Sequence, residues 1–374
     1  MSQTDIRASL LDAVAAQARA ELAPLVQAID QQGQYPGDYM RHLGALGGFG
    51  AGIPKELGGQ GLDLAAQIEI TALVGAECGS TAFLVWCQSS CAWYLLHSPN
   101  QAVRERYLAP VAKGELLSGT GMSNAVKHLA GIEKIHLAAQ REGDGYVVNG
   151  SLPWVSNVGA DHLVIVAASI EGEGYIMFAA HGGLPGLEQH PCPAFSGLEG
   201  TQTLNLRFKN VRIPASAVLA HPDQFPAYIK RIKAGFILGQ TGMGFGIVQA
   251  SLRTIRETNV SHAHVNIYLD DQGDELAQEL AELKTRAAEL AQLAQAGAAP
   301  MLDVLKLRAQ TSELTLKAAN SAVLHAGAKG YLMRHPAQRR LREAVFVAIV
   351  TPALKHLRKE IHDLEQRQAL VEAA

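Results

Sequence analysis

The sequence predicts an α+β fold in which a β domain lies between two helical domains. Apolar residues recur at three- and four-residue spacing before residue 115 and again after residue 222, as on one face of a helix. The segment 132–181 instead alternates, which is typical of strands. We therefore expect an N-terminal all-helical domain over 1–115, a middle β domain over 116–222 built as a small barrel or sandwich, and a C-terminal four-helix bundle over 223–374.

Helices of the N-terminal domain are expected over 6–31, 62–80 and 81–97. The first should stop at Gly33 and the turn residues that follow it. Asn100 is expected to cap a further helix, because its short side chain can accept a hydrogen bond from a free backbone N–H.

The middle domain is expected to begin with a strand over 118–124 and to continue with a hairpin that turns at Asp144-Gly145. Helical periodicity then returns in the C-terminal domain. The glycine-rich run 239–246 follows a helical segment and not a strand, so it indicates close helix packing and not a dinucleotide loop. Further strands are predicted over 161–168, 174–181 and 203–214, and C-terminal helices over 228–258, 273–296, 300–327 and 335–364.

Charge and cysteine content exclude several classes of function. Lys plus Arg number 32 against 35 Asp plus Glu, so no basic excess favours nucleic acid. The four cysteines form no CxxC pair, which argues against a disulfide framework or a structural zinc site. We also see neither a signal peptide nor a membrane-spanning run, and so expect a cytoplasmic protein with no membrane partner and no metal.

Four segments, 43–64, 145–157, 197–214 and 324–344, together resemble the acyl-CoA dehydrogenase family. They include the runs LGALGGFGAGIPKELGGQGLDL, GYVVNGSLPWVSN, GLEGTQTLNLRFKNVRIP and LHAGAKGYLMRHPAQRRLREA, and they occur in the order that the family has. The resemblance implies FAD as cofactor, an acyl-CoA as small-molecule substrate, and a homodimer or homotetramer.

The resemblance also implies residues that would bind FAD. Trp154 would supply an aromatic wall and Ser156 a hydroxyl near the flavin ring. Around residues 324–334 a loop would reach the FAD of a neighbouring subunit, although its glycines also fit a helix C-cap. The residues expected at the cofactor are Met122, Ser123, Trp154, Val155, Ser156, Asn157, His325, Gly327 and Gly330. The family's Arg-x-x-Phe-Gly motif is absent, with His262 near the arginine position.

The catalytic residue is unknown, because neither usual position of the family's base holds a carboxylate. Counting from Arg342-Glu343, Thr351 occupies the place of the usual glutamate, and no carboxylate lies between Asp223 and Glu257. Three functions stay open: an FAD-dependent dehydrogenase of acyl thioesters with its base elsewhere, a flavin-dependent monooxygenase on the same fold, and a binding subunit that has lost catalysis.

Overall fold

The structure, a computed structural model, describes residues 3–372. Residues 3–112 form helices joined by turns and loops, and Asn100 caps the last of these helices as predicted, with Oδ1 accepting from Ala102 N at 3.1 Å. The predicted helix 6–31 is interrupted around Pro24, which lacks the N–H that a continuous helix requires. The helices are α1 (Gln3–Gln17), α2 (Val26–Gln32), α3 (Gly37–Ala45), α4 (Leu64–Gly75), α5 (Gly79–His97) and α6 (Gln101–Ala112).

The middle region forms a single eight-stranded sheet. Along its main path the strand order is β6-β7-β3-β2-β4-β5-β8, and β1 pairs with β4 in parallel. The strands are β1 (Ser118–Thr120), β2 (Leu137–Glu142), β3 (Gly145–Val155), β4 (Leu163–Ile170), β5 (Gly174–His181), β6 (Leu187–Pro191), β7 (Leu204–Ile213) and β8 (Val218–Ala220).

Two sequence predictions in this region are wrong in detail. The hairpin turns one residue earlier than predicted, because Glu142 pairs with Gly145 and Gly143 takes the left-handed conformation that glycine tolerates (φ 62°). The predicted strand 118–124 ends at Thr120, and the chain then turns into helix α7 (Ser123–Leu129). Lys127 and His128 lie in the last turn of α7, where positive charge suits the helix dipole.

The two faces of the sheet belong to two different cores. Along β4, Leu163 and Ile165 pack into the large core of the helices, whereas Val164 and Val166 point into a second core within the β region. This alternation follows from the two-residue repeat of a strand. The large core also contains side chains from the helices on both sides of the sheet region in sequence.

The C-terminal region contains six helices among residues 3–372 instead of four. The predicted helix 228–258 is divided at Gln240 and continues to Asn266. The predicted helix 335–364 is broken at 350–353, because Pro352 disfavours helical backbone at the residue before it. The helices are α8 (Phe225–Gly239), α9 (Thr241–Asn266), α10 (Gly273–Gln295), α11 (Met301–Ala326), α12 (Pro336–Ile349) and α13 (Leu354–Glu372).

Contacts between helices confirm the interpretation of the glycine-rich run. A Cβ on Gly246 would lie 2.4 Å from the carbonyl oxygen of Ala72, so only glycine permits this approach of α9 to α4. An ion pair joins the N-terminal helices to α12, since Arg342 Nη2 lies 2.6 Å from Asp30 Oδ2. None of the helices within residues 3–372 combines the length and apolar character needed to cross a membrane.

Candidate flavin site

Trp154 at the end of β3 is the most exposed aromatic side chain of the predicted cofactor residues. Its exposed fraction is 64%, which excludes an ordinary core tryptophan. The backbone there is left-handed (φ 57°), and the pairing with β7 shifts register between Leu152 and Val155. The ring lies 6.3 Å from that of Phe195 in an edge-to-face arrangement. A flat apolar surface is therefore presented outward at this strand end.

Val155 and Ser156 differ in what they can offer a ligand. The side chain of Val155 is buried in the β core, which leaves only its backbone for contact. Ser156 Oγ lies 2.5 Å from Thr203 Oγ1, which in turn lies 2.8 Å from Thr201 Oγ1. Thr201 Oγ1 itself donates to Leu198 O at 2.6 Å, so Thr203 donates to Thr201 and Ser156 donates to Thr203. Ser156 can therefore donate to a bound group only in exchange for its bond to Thr203.

Asn157 is a structural junction between the sheet and the helices. Its Oδ1 accepts from the Tyr35 hydroxyl at 2.5 Å, and its Nδ2 donates to Ser118 O at 2.8 Å. The side chain is fully buried, and burial also raises the pKa of Tyr35, which keeps that phenol a donor. These bonds already engage both ends of the Asn157 amide.

A glycine in β1 brings the second predicted segment against the first. A Cβ on Gly119 would lie 2.2 Å from Ser156 O and 3.0 Å from Asn157 O. Two residues beyond β1, Met122 is buried in the large core, so its side chain faces away from solvent. Ser123 is exposed, and its Oγ lies 2.7 Å from Thr351 Oγ1. The structure thus joins Ser123 to the residue at the usual base position.

Thr351 lies in the break between α12 and α13, which we call the Thr351 turn (residues 350–353). Its carbonyl oxygen accepts a hydrogen bond from Gln240 Nε2 at 2.8 Å. Glu343, two helical turns earlier, is buried and accepts from Gly79 N at 3.1 Å. Burial raises the pKa of Glu343, and its contact with the start of α5 fits a structural role.

The region 325–334 combines a buried histidine with an exposed apolar loop. His325 is buried, its Nδ1 lies 2.9 Å from Ser321 O, and its buried Nε2 has no hydrogen-bond partner among the described residues. Gly327 adopts φ 60°, with open space where a Cβ would stand. Gly330 instead packs tightly, because a Cβ there would lie 2.9 Å from Val323 O. Beyond them, Tyr331 is 79% exposed.

The position of the absent Arg-x-x-Phe-Gly motif lies on an exposed part of α9. His262 is exposed there, and its Nδ1 lies 2.7 Å from Ser261 Oγ. A guanidinium could grip a pyrophosphate with several donors, whereas a neutral imidazole offers one. The residues present therefore fit the ring end of FAD better than its pyrophosphate end.

A cleft between helices lies elsewhere. It has a volume of about 620 Å³ and is lined by residues of α3, of the glycine-rich segment after it and of the end of α6, including Arg41, Lys55 and Lys113. None of the predicted cofactor residues lines it. The candidate site, at Trp154, Ser123 and Thr351, therefore lies outside this cleft.

Known proteins share both sequence and fold with this chain. A family model described as the N-terminal domain of acyl-CoA dehydrogenase matches residues 4–115. The short-chain specific acyl-CoA dehydrogenase of Clostridium acetobutylicum is 26% identical over 348 residues, which cover 89% of this chain and 90% of that protein. Cyclohex-1-ene-1-carbonyl-CoA dehydrogenase of Geobacter metallireducens is 27% identical over 360 residues, which cover 91% and 93% respectively.

A solved structure agrees with these sequence matches. Butyryl-CoA dehydrogenase from Megasphaera elsdenii superimposes with a TM-score of 0.87 at 21% identity, over 98% of this chain and 99% of that one. The sequence matches and the fold together support membership of the acyl-CoA dehydrogenase family, whose members are FAD-dependent flavoproteins. The fold predicted from the sequence, with a sheet region between two helical regions, is confirmed.

Proposed function

We propose that this protein is an FAD-dependent oxidoreductase that acts on an acyl thioester, and that Thr351 stands where relatives of the family carry their base. The observation that carries the proposal is the 2.7 Å contact between Ser123 Oγ and Thr351 Oγ1. It brings together Ser123, which the resemblance assigns to the cofactor, and Thr351, which stands at the family's usual base position. Family membership supports the cofactor and the class of substrate.

In this proposal each part of the site has a limited task. FAD, when bound, would accept a hydride from the substrate. Trp154 would cover one side of the ring system, and the Ser156 hydroxyl would donate to its polar edge in exchange for its bond to Thr203. Hydroxyls at Ser123 and Thr351 can orient a substrate carbonyl or a water molecule, but at neutral pH neither can hold an abstracted proton.

The decisive experiment uses the purified full chain after reconstitution with FAD and removal of the unbound FAD. A visible flavin spectrum that bleaches anaerobically on addition of an acyl-CoA, even if straight-chain thioesters bleach it only slowly, would support the proposal. A monooxygenase would be favoured by a different result, in which no acyl-CoA reduces the bound FAD. In that case NAD(P)H would reduce the flavin, and oxygen would then reoxidise it with incorporation of an oxygen atom into a product. Failure to retain FAD at all would indicate a binding subunit and refute the proposal.

Trp154→Ala is expected to weaken FAD retention several-fold, because ring stacking contributes roughly 1 kcal/mol. The side chain is 64% exposed, so its loss should leave folding intact. Trp154→Phe keeps an aromatic face and serves as the matched control. FAD content would be measured by absorbance after gel filtration of all three proteins. Equal FAD content in the alanine variant and the wild type would place the flavin elsewhere.

A homo-oligomer is expected in solution, with the loop 327–334 of one subunit lying against its neighbour. The loop exposes Tyr331, Leu332 and Met333 at 79%, 50% and 58%, and such apolar groups gain from burial in an interface. Leu332→Asp should shift sedimentation toward the monomer and reduce FAD retention. Leu57→Asp, at an apolar residue outside the loop that is 39% exposed, is the control. A wild-type monomer that holds one FAD per chain would contradict the expectation.

A further inference from the structure

Arg308 on α11 is a cation buried without a carboxylate partner. It is fully buried, and among residues 3–372 no carboxylate oxygen lies within ion-pair distance of it. Its Nε donates to Gln240 Oε1 at 2.8 Å and its Nη2 to Val347 O at 2.6 Å, while Nη1 bonds Ser312. Burial lowers the pKa of Arg308 to about 10, so the group still carries its charge at neutral pH. An apolar side chain would fill this space at lower cost.

Gln240 links Arg308 to the Thr351 turn. It lies fully buried at the break between α8 and α9, and its Nε2 donates to Thr351 O at 2.8 Å. A guanidinium carries only donors, so the amide oxygen of Gln240 must face Arg308 and its NH₂ group must face the Thr351 carbonyl. The charge of Arg308 therefore fixes the direction in which Gln240 donates.

The same arginine also holds the end of α12. Val347 O belongs to the last turn of that helix, where carbonyls lack an intrahelical donor. Arg308 satisfies it directly, and positive charge is favoured at a helix C-terminus. The chain is thus held at Val347 by Arg308, at Thr351 O by Gln240, and at the Thr351 hydroxyl by Ser123.

We propose that Arg308 and Gln240 are positioning residues that hold the Thr351 turn against Ser123 and so shape the flavin site. Neither residue belongs to the predicted cofactor residues, and neither is assigned contact with substrate. The proposal rests on the proposed function for its consequence at FAD. Its structural part, that the buried pair immobilises residues 350–353, is independent of any cofactor.

Gln240→Glu separates the two bonds of the amide. The carboxylate can still accept from Arg308, with which it now forms an ion pair, but it cannot donate to Thr351 O. Loss of that donor leaves a buried carbonyl unsatisfied and facing a negative oxygen. We expect FAD to bind about ten-fold more weakly, which corresponds to one lost buried hydrogen bond. The visible circular dichroism of the bound flavin should change, and the urea midpoint should stay close to that of the wild type, because the new ion pair with Arg308 offsets the lost hydrogen bond.

Ser312→Ala is the matched control, because Ser312 also bonds Arg308 but lies off the route to Thr351. It should lower the urea midpoint while FAD affinity stays within two-fold of wild type. If Gln240→Glu does not fold, Gln240→Asn, whose shorter amide cannot reach both partners, replaces it with the same expectation for FAD affinity and flavin dichroism. A Gln240 variant with wild-type affinity and dichroism, or equal loss of affinity in Ser312→Ala, would overturn the proposal.

Hydrogen exchange of the FAD-free protein distinguishes failure of this proposal from failure of the proposed function. Peptides that contain residues 350–353 should exchange at least several-fold faster in Gln240→Glu than in the wild type or Ser312→Ala. If the wild type never binds FAD but Gln240→Glu still exchanges faster than it, the positioning role is kept and the flavin function is refuted. Unchanged exchange would refute the positioning role, whether or not FAD binds.

Discussion

Butyryl-CoA and octanoyl-CoA should reduce the bound flavin of this protein only at rates close to background. Ordinary dehydrogenation requires a base for the proton next to the thioester carbonyl, and a positioned base contributes about 10²–10⁴ in rate, or about 3–5 kcal/mol of barrier. The hydroxyl of Thr351 is paired with that of Ser123 and cannot take this role at neutral pH. The measurement is anaerobic stopped-flow absorbance of the flavin band after mixing with either thioester.

Thr351→Glu should restore part of the rate, because the Gln240 bond goes to the backbone and survives the substitution. Pro352 restricts the backbone of residue 351, so recovery is expected to be partial. Thr351→Gln has the same shape without a base, and it should remain at the wild-type rate. Flavin reduction by the wild type at about one per second or faster would mean that another group in the pocket accepts the proton.

Asp30→Asn is expected to destabilise the fold by about 3 kcal/mol. The carboxylate side chain is only 4% exposed, and both its oxygens bond Arg342, at 2.8 and 2.6 Å. Removing its charge leaves a largely buried guanidinium without a counter-ion. This loss of stability is at the lower end of the range for breaking a buried ion pair, because Arg342 keeps a bond to Ser196 O at 3.0 Å. Urea unfolding, followed by far-UV circular dichroism, measures the change in free energy.

The ion pair of Lys306 and Glu365 provides the comparison for this prediction. Its atoms are 2.7 Å apart, but the side chains are 45% and 46% exposed. Exposed pairs contribute less than about 1 kcal/mol, since solvent screens both charges. Glu365→Gln should therefore shift the unfolding free energy by less than that amount. Similar losses in the two variants would show that burial does not set the strength of the Asp30 pair.

Local patterns in the sequence were sufficient to predict most elements. The cap at Asn100 and the hairpin around residue 143 depend on neighbouring residues alone, and so does the alternation of β4. The prediction of a strand over 118–124 was wrong because helix α7 begins at Ser123. The apolar alternation of the sequence shows no break at that point that would have indicated the helix. Pro352 did carry a signal for the break after α12, since proline restrains the residue before it.

The network behind Thr351 could not be predicted in the same way. Gln240 and Thr351 are 111 residues apart, and Arg308 meets Gln240 across 68 residues. A lone arginine in an amphipathic helix is ordinarily a surface residue, so its burial becomes visible only when the helices are packed. Likewise, nothing around Asn157 indicates that the Tyr35 hydroxyl bonds its side chain. Contacts of this kind depend on tertiary structure.

The sheet region has one face in a core of its own and the other in the core of the helices. Side chains such as Leu163 and Ile165 are therefore interior residues of the helical assembly, although they belong to the sheet. In evolution, the helices or the sheet of one relative cannot replace those of another unless the side chains that pack between sheet and helices change as well. A new function in such a protein is more readily acquired by substitutions at exposed positions such as Trp154, or in turns such as residues 350–353, than by recombination of whole regions.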